Sequence, residues 1–89
     1  MTAPFSHVAV IGLGLLGGSV ASAVNRYVPG ARTTGFDADP AVRARAREIG
    51  LANVVAETSA EAVQGADLVV LCVPVGAMGA AARDLAPGL

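Results

Sequence analysis

The sequence contains no Lys and no Trp, one Cys, one His, two Phe and one Tyr. A lone Cys excludes a disulfide framework within the chain, and with a lone His it cannot build a zinc cage. Six Arg against seven acidic residues leave a formal charge of −1, so no basic excess exists for a nucleic-acid or anionic-membrane surface. The absence of Lys beside abundant Ala, Val and Arg reflects compositional bias and carries no functional reading. Charged residues make up 15% and hydrophobic residues 54%, a balance that excludes disorder. With 89 residues the chain has room for one small domain and a modest core.

The segment from Val8 to Asn25 is free of charge. Ala21-Ser22-Ala23 even resembles a signal cleavage site, but Met1 to His7 has no Lys or Arg to make a positive leader. Gly12, Gly14, Gly17 and Gly18 would weaken a helix starting at Val8. The apolar run is also shorter than the roughly 20 residues needed to cross a bilayer. The same glycines fit a strand-to-helix turn better.

His7 to Ile11 is a short apolar, β-branched run that ends at Gly12, which reads as a strand buried on both faces. Leu16, Val20, Ala23 and Val24 then recur at helical spacing, predicting one face of a helix to about Tyr27, stopped by Pro29-Gly30. Thr33 to Phe36 is a second strand. Asp39-Pro40 starts a helix with Asp as N-cap and Pro at its first position. Val42, Ala46 and Ile49 form the apolar face of that helix, Arg43, Arg47 and Glu48 lie toward water, and Gly50 stops it. Val54-Val55 is a third strand. Thr58 to Glu61 has capping-box spacing before a short helix around Val63. Leu68 to Val73 is the most apolar strand, ended by Pro74, and Met78, Ala81, Ala82 and Leu85 give a fourth helical face closed by Pro87-Gly88.

Strands alternating with helices imply an α/β fold: a Rossmann-type parallel sheet, helices on both faces, right-handed crossovers and strand order 3-2-1-4. In that order the crevice opens between the C-terminal ends of the first and fourth strands.

Gly12-Leu13-Gly14-Leu15-Leu16-Gly17 matches G-x-G-x-x-G and sits between a strand and a helix, the context that gives the pattern meaning. Gly12 makes the tight turn, Gly14 lets backbone approach a pyrophosphate, and Gly17 lets the helix pack on the strand. The unpaired N–H groups at the helix start, with Leu15 and Leu16 in its first turn, favour a diphosphate anion. Asp37 follows Gly17 by twenty residues, at the end of the second strand, where a carboxylate accepts hydrogen bonds from the adenosine ribose. It repels a 2′-phosphate, and Ala38 and Asp39 offer no cation to hold one, so the expected cofactor is NAD rather than NADP. Val73-Pro74-Val75 is placed opposite the glycine loop, along the cofactor's path.

Several residues are left without a chemical role. His7 is read as a surface or strand-edge residue, and Cys72 as a small buried hydrophobe. Met78 is read as core packing, and Arg43, Arg45 and Arg47 as a solvated face. Ser19 is assigned a backbone bond ahead of a phosphate contact. No catalytic or metal-binding residue is assigned.

Gly12 to Ser19 is very like the GLGLIGGS loop of the prephenate and arogenate dehydrogenases. Gly35-Phe36-Asp37-Ala38-Asp39-Pro40, Ile49-Gly50-Leu51 and Ala66 to Val75 are similar to further stretches of that family. The likeness runs over nearly all of the chain from His7 onward. The β-hydroxyacid dehydrogenases and pyrroline-5-carboxylate reductases share the first glycines but commonly have Met before the third. The resemblance implies a cytoplasmic, NAD(P)-dependent oxidative decarboxylation of prephenate or arogenate in tyrosine biosynthesis. It places a catalytic His, a Ser and a substrate-binding Arg downstream of the fourth strand, and a further helical domain that completes the site and a homodimer. None of those positions occurs here, and His7 matches none of them. Ala38 departs from the Arg that relatives often carry there. The expectation is therefore an N-terminal NAD(P)-binding portion, residues 1–89, of a longer two-domain enzyme, inactive by itself. A non-catalytic NAD(H)-sensing module and the cofactor half of another dehydrogenase class remain open.

Overall fold

The computed structural model describes residues 6–28 and 30–89, without the Leu15 side chain. Pro29, expected to help stop the first helix, lies outside the described residues. Four strands form one parallel sheet in the order β3-β2-β1-β4: β1 (His7–Ile11), β2 (Arg32–Phe36), β3 (Val54–Val55) and β4 (Leu68–Leu71). The connecting helices are α1 (Leu15–Tyr27), α2 (Pro40–Ile49) and α3 (Ser59–Val63), with α4 (Met78–Leu85) following β4 through a short 3₁₀ turn (Val75–Ala77).

β1 is buried at all five positions, and its alternation divides the core. Val8 and Val10 pack with Leu13, with Ala21 of α1 and with Ala46 of α2. Ala9 and Ile11 pack on the opposite face with Ala62 and Val63 of α3 and Leu85 of α4. Helices thus cover both faces. None of them is long and apolar enough to cross a membrane among the described residues.

Local chemistry sets the helix ends. The Asp39 carboxylate accepts from the Ala41 N–H at 2.9 Å, Pro40 occupies the first turn, and Gly50 closes α2 in the left-handed conformation at φ +66°. Thr58 Oγ1 accepts from the Glu61 N–H at 3.1 Å. The reciprocal bond from Glu61 runs to the Glu57 N–H, one residue earlier than in a regular capping box.

The side-chain pattern misreads the face of α1. Among the described side chains Gly17 and Ala21 are the buried positions, Val20 and Val24 are half-buried, and Leu16 and Ala23 point outward. Close approach to β1 selects the smallest side chains, so the bulky ones do not mark the contact. Ile49 is likewise 54% exposed at the open end of α2. Met78 is partly exposed rather than core. β4 ends two residues short of the sequence reading because β1 turns away at Gly12. Cys72 N–H still reaches Ile11 O at 2.7 Å, and beyond it the ladder has no partner strand.

His7 is not a surface residue: it is 5% exposed. The Thr34 hydroxyl donates to the Ala62 carbonyl, so His7 Nε2 is the donor in its 2.9 Å bond to Thr34 Oγ1. Nδ1 then accepts from Arg32 at 3.4 Å.

Asp67 ties the start of β4 to the start of β1. Its Oδ2 accepts from the Ser6 hydroxyl, from the Ser6 N–H at 2.8 Å and from the His7 N–H at 2.9 Å. The Ser6 hydroxyl, and then the Ser6 and His7 amides, hold the Asp67 carboxyl below its ordinary value of 3.8. A depressed folded pKa adds stability that is fully present above the unfolded value and is lost as pH falls through the folded one. The urea midpoint of the chain is therefore expected to fall more steeply below pH 3.8 than that of Asp67→Asn. Parallel acid profiles would show that this tie contributes nothing.

Candidate nucleotide-binding cleft

At the C-terminal edge of the sheet, β1 and α1 are joined by the glycine loop. Gly12 sits at φ +97°, a conformation side chains rarely adopt, and a Cβ there would lie 2.5 Å from Cys72 O. Its N–H donates to Phe36 O at 2.7 Å, pinning the turn to the end of β2. A Cβ on Gly17 would lie 1.6 Å from Gly12 O, so α1 rests directly on the loop backbone. Gly14 differs: a Cβ there would meet nothing within 4 Å. Gly14 is the N-cap of α1 and has no side chain to satisfy the first-turn amides. Those amides have no partner within the helix and carry the positive end of its dipole. Open space over bare amides suits an anion.

Asp37 lies at the end of β2, half-buried, facing the loop. Its Oδ2 accepts from the Leu13 N–H at 2.8 Å and its Oδ1 from the Asp39 N–H at 2.9 Å. A carboxylate has about four lone-pair sites. Two are taken by the loop backbone, and the others are left for a further donor.

These groups wall a cleft of about 470 Å³ between the ends of β1, β2 and β4. Of the sequence-predicted residues, Gly12, Gly14, Asp37, Val73 and Pro74 line it. Gly17 lies beneath it as packing. Leu16 is not in the cleft wall and turns its side chain to solvent. The Leu15 side chain lies outside the described residues. Val75, expected beside Val73 and Pro74, is not in the cleft wall and is 84% exposed, because the 3₁₀ turn after Pro74 swings it out. A larger and more open hollow of about 660 Å³ between α1 and α2 is lined mainly by apolar groups and lacks Asp37.

Several cleft-lining residues escaped the sequence reading, Asp84 of α4 among them. Cys72 lines the cleft, where the end of β4 brings it beside the glycine loop. Ser59, at the start of α3, and the small side chains Ala77, Ala80 and Ala81 form the far wall. The signal for that wall was the run of small residues after Pro74. Arg43 is not on a solvated face: its side chain is 15% exposed and packs under the Asp37 loop. Arg45 and Arg47 do remain largely in water.

A parallel sheet with this glycine turn and a carboxylate at the end of β2 has the layout of dinucleotide-binding folds. The family model for the prephenate dehydrogenase nucleotide-binding domain matches residues 20–89. The chain belongs to this family. A cyclohexadienyl dehydrogenase of Zymomonas mobilis is 47% identical over 85 residues, 96% of this chain and 29% of that protein. The similarity omits only about four positions of this chain and so takes in the glycine loop. A Synechocystis arogenate dehydrogenase structure matches with a TM-score of 0.82 and 26% identity, over 93% of this chain and 29% of that one. The fold is shared too with a prephenate dehydrogenase from A. aeolicus, solved with hydroxyphenyl propionate and NAD+. That match has a TM-score of 0.77 and 24% identity, over 90% of this chain and 28% of that one. The chain thus spans under a third of the length of these relatives.

Proposed function

We propose that this chain is the NAD-binding portion of a prephenate or arogenate dehydrogenase, a cytoplasmic enzyme of tyrosine biosynthesis. The observation that carries the reading is the meeting of bare first-turn amides over Gly14 with the Asp37 carboxylate at one cleft. The amides would hold the diphosphate, and the free lone pairs of Asp37 the adenosine ribose hydroxyls. Val73 and Pro74 would line the way to the nicotinamide. When bound, the dinucleotide supplies a hydride acceptor for oxidation of the substrate's ring hydroxyl carbon, and loss of carbon dioxide makes the ring aromatic. This chain's own residues bind and orient that group. General acid–base work needs a group of suitable pKa within reach of the substrate hydroxyl. That work is assigned to a further domain, which would also complete a homodimer.

NAD is favoured over NADP because Asp37 repels a 2′-phosphate, while the neighbouring Arg43 guanidinium is engaged by backbone carbonyls. Calorimetric titration of the 89-residue chain is expected to show NAD binding at least about tenfold more tightly than NADP. Equal or reversed affinities would overturn the assignment. Incubation with NAD and prephenate is expected to give no NADH absorbance, and turnover above background would place the catalytic groups within this chain.

A further inference from the structure

The half-buried Arg43 on α2 has no place in the binding scheme above, yet its contacts converge on the residue that does. Arg43 lies one turn into α2, and its guanidinium curls back under the β2–α2 loop. Nη1 donates to Asp37 O at 2.7 Å and to Ala38 O at 3.3 Å. The guanidinium lies over the Phe36 ring, 5.5 Å from its centroid, and Nη2 is 3.9 Å from Glu57. Its Nε is buried without a hydrogen-bond partner. Leaving a buried N–H orphaned is unfavourable. It is tolerated here because Nη1 is drawn to the two loop carbonyls and the planar group is held against the ring.

We infer that Arg43 is a positioning residue: by fixing the peptide between Asp37 and Ala38 it aims the Asp37 carboxylate at the ribose, and so sets how strongly the adenosine 2′-hydroxyl is read. The inference rests on the nucleotide reading above. The carboxylate has only two torsions between its backbone and its oxygens, so a fixed backbone leaves little freedom in its direction. The Leu13 and Asp39 amides fix one side of the carboxylate. Arg43 fixes the backbone from which it springs. The guanidinium suits this task better than an ammonium, since its planar face stays against the Phe36 ring while Nη1 serves both carbonyls.

The test compares binding of NAD with binding of NAD lacking the adenosine 2′-hydroxyl, by calorimetry on this chain. The unsubstituted chain is expected to prefer NAD by about tenfold, the worth of a hydrogen bond to a charged acceptor. In Arg43→Ala that preference is expected to fall to about twofold or less. Arg43→Lys, which keeps the charge but not the planar group held against Phe36, is expected to fall between the two, and it decides the matter should the Ala variant fail to fold. Arg47→Ala is the control. Arg47 also bonds Glu57 and, at 3.1 Å, Val55 O, so its loss weakens the same corner without touching the Asp37 loop. Its preference is expected to match the unsubstituted chain. Wild-type preference in both Arg43 variants, or an equal loss in Arg47→Ala, overturns the inference while leaving NAD binding intact. Failure of the unsubstituted chain to bind NAD overturns the nucleotide reading and this inference with it.

Discussion

Adding one methyl group at Gly17 is expected to abolish nucleotide binding and to destabilise the chain by about 3 kcal/mol or more. The new Cβ would stand 1.6 Å from Gly12 O and 2.8 Å from Gly12 C. Both obstacles are backbone, so no side chain can turn aside. Gly12 cannot yield easily, because its N–H is bonded to Phe36 O at 2.7 Å and its own far side abuts Cys72 O. Either α1 lifts from the sheet, exposing Ala21 and Val10, or the turn deforms and scatters its amides. Overpacking in a core costs typically about 1–3 kcal/mol, and a clash confined between two backbones belongs at or above the upper end. That is a large share of the stability of a small domain. Gly14→Ala is the informative partner. Its Cβ would enter open space, and its φ of −67° is ordinary, so stability should change by no more than about 1 kcal/mol. Nucleotide affinity should nevertheless fall about tenfold or more, because the methyl group would occupy the ligand's place. Urea denaturation and NAD titration of the two variants separate the roles. Equal stability losses at Gly14 and Gly17 would refute the division between ligand approach and packing.

Replacing Asp37 by Ser together with Ala38 by Arg is expected to reverse the cofactor preference toward NADP. Removing the carboxylate takes away its repulsion of a 2′-phosphate, and an Arg at the rim gives that phosphate a partner. The change also has a structural cost. Asp37 serves the Leu13 and Asp39 amides at once, at 2.8 and 2.9 Å, and a Ser hydroxyl reaches one of them at most. An unfulfilled amide at this half-buried position is expected to lower stability by about 1–2 kcal/mol. NAD affinity should drop about tenfold or more. Thermal unfolding and titration with both dinucleotides give the two readouts. An unchanged NAD-to-NADP ratio would remove Asp37 from the ribose site.

What could be read from the sequence follows the range of the governing interactions. The Asp39 and Thr58 caps and the Gly50 stop are fixed by neighbours within a few positions, and they stand where the sequence put them; β1 and the glycine turn were legible from their own residues, although Phe36 O and Cys72 O hold the turn in place. The strand order followed from the alternation of elements. Misreadings arose where a distant partner decides. The contact face of α1 is chosen by β1, which admits Gly17 and Ala21 and excludes Leu16. The end of β4 depends on where β1 turns. His7 is drawn inside by Thr34, 27 positions away. Arg43 reads as a solvent residue on its own helix, and only the folded loop brings two carbonyls and Phe36 to it. Val75 was placed by its neighbours' logic, and the backbone turn after Pro74 sends it elsewhere.

One carboxylate braces the turn at Leu13 while its remaining lone pairs stay open to the cleft. On the proposed reading, the seat for the sugar and the seat for the diphosphate would therefore be mechanically one piece. Contributions from separate fragments of a dinucleotide should not sum at this site: whichever half arrives first stiffens the shared strut, and the other half meets a frame already set.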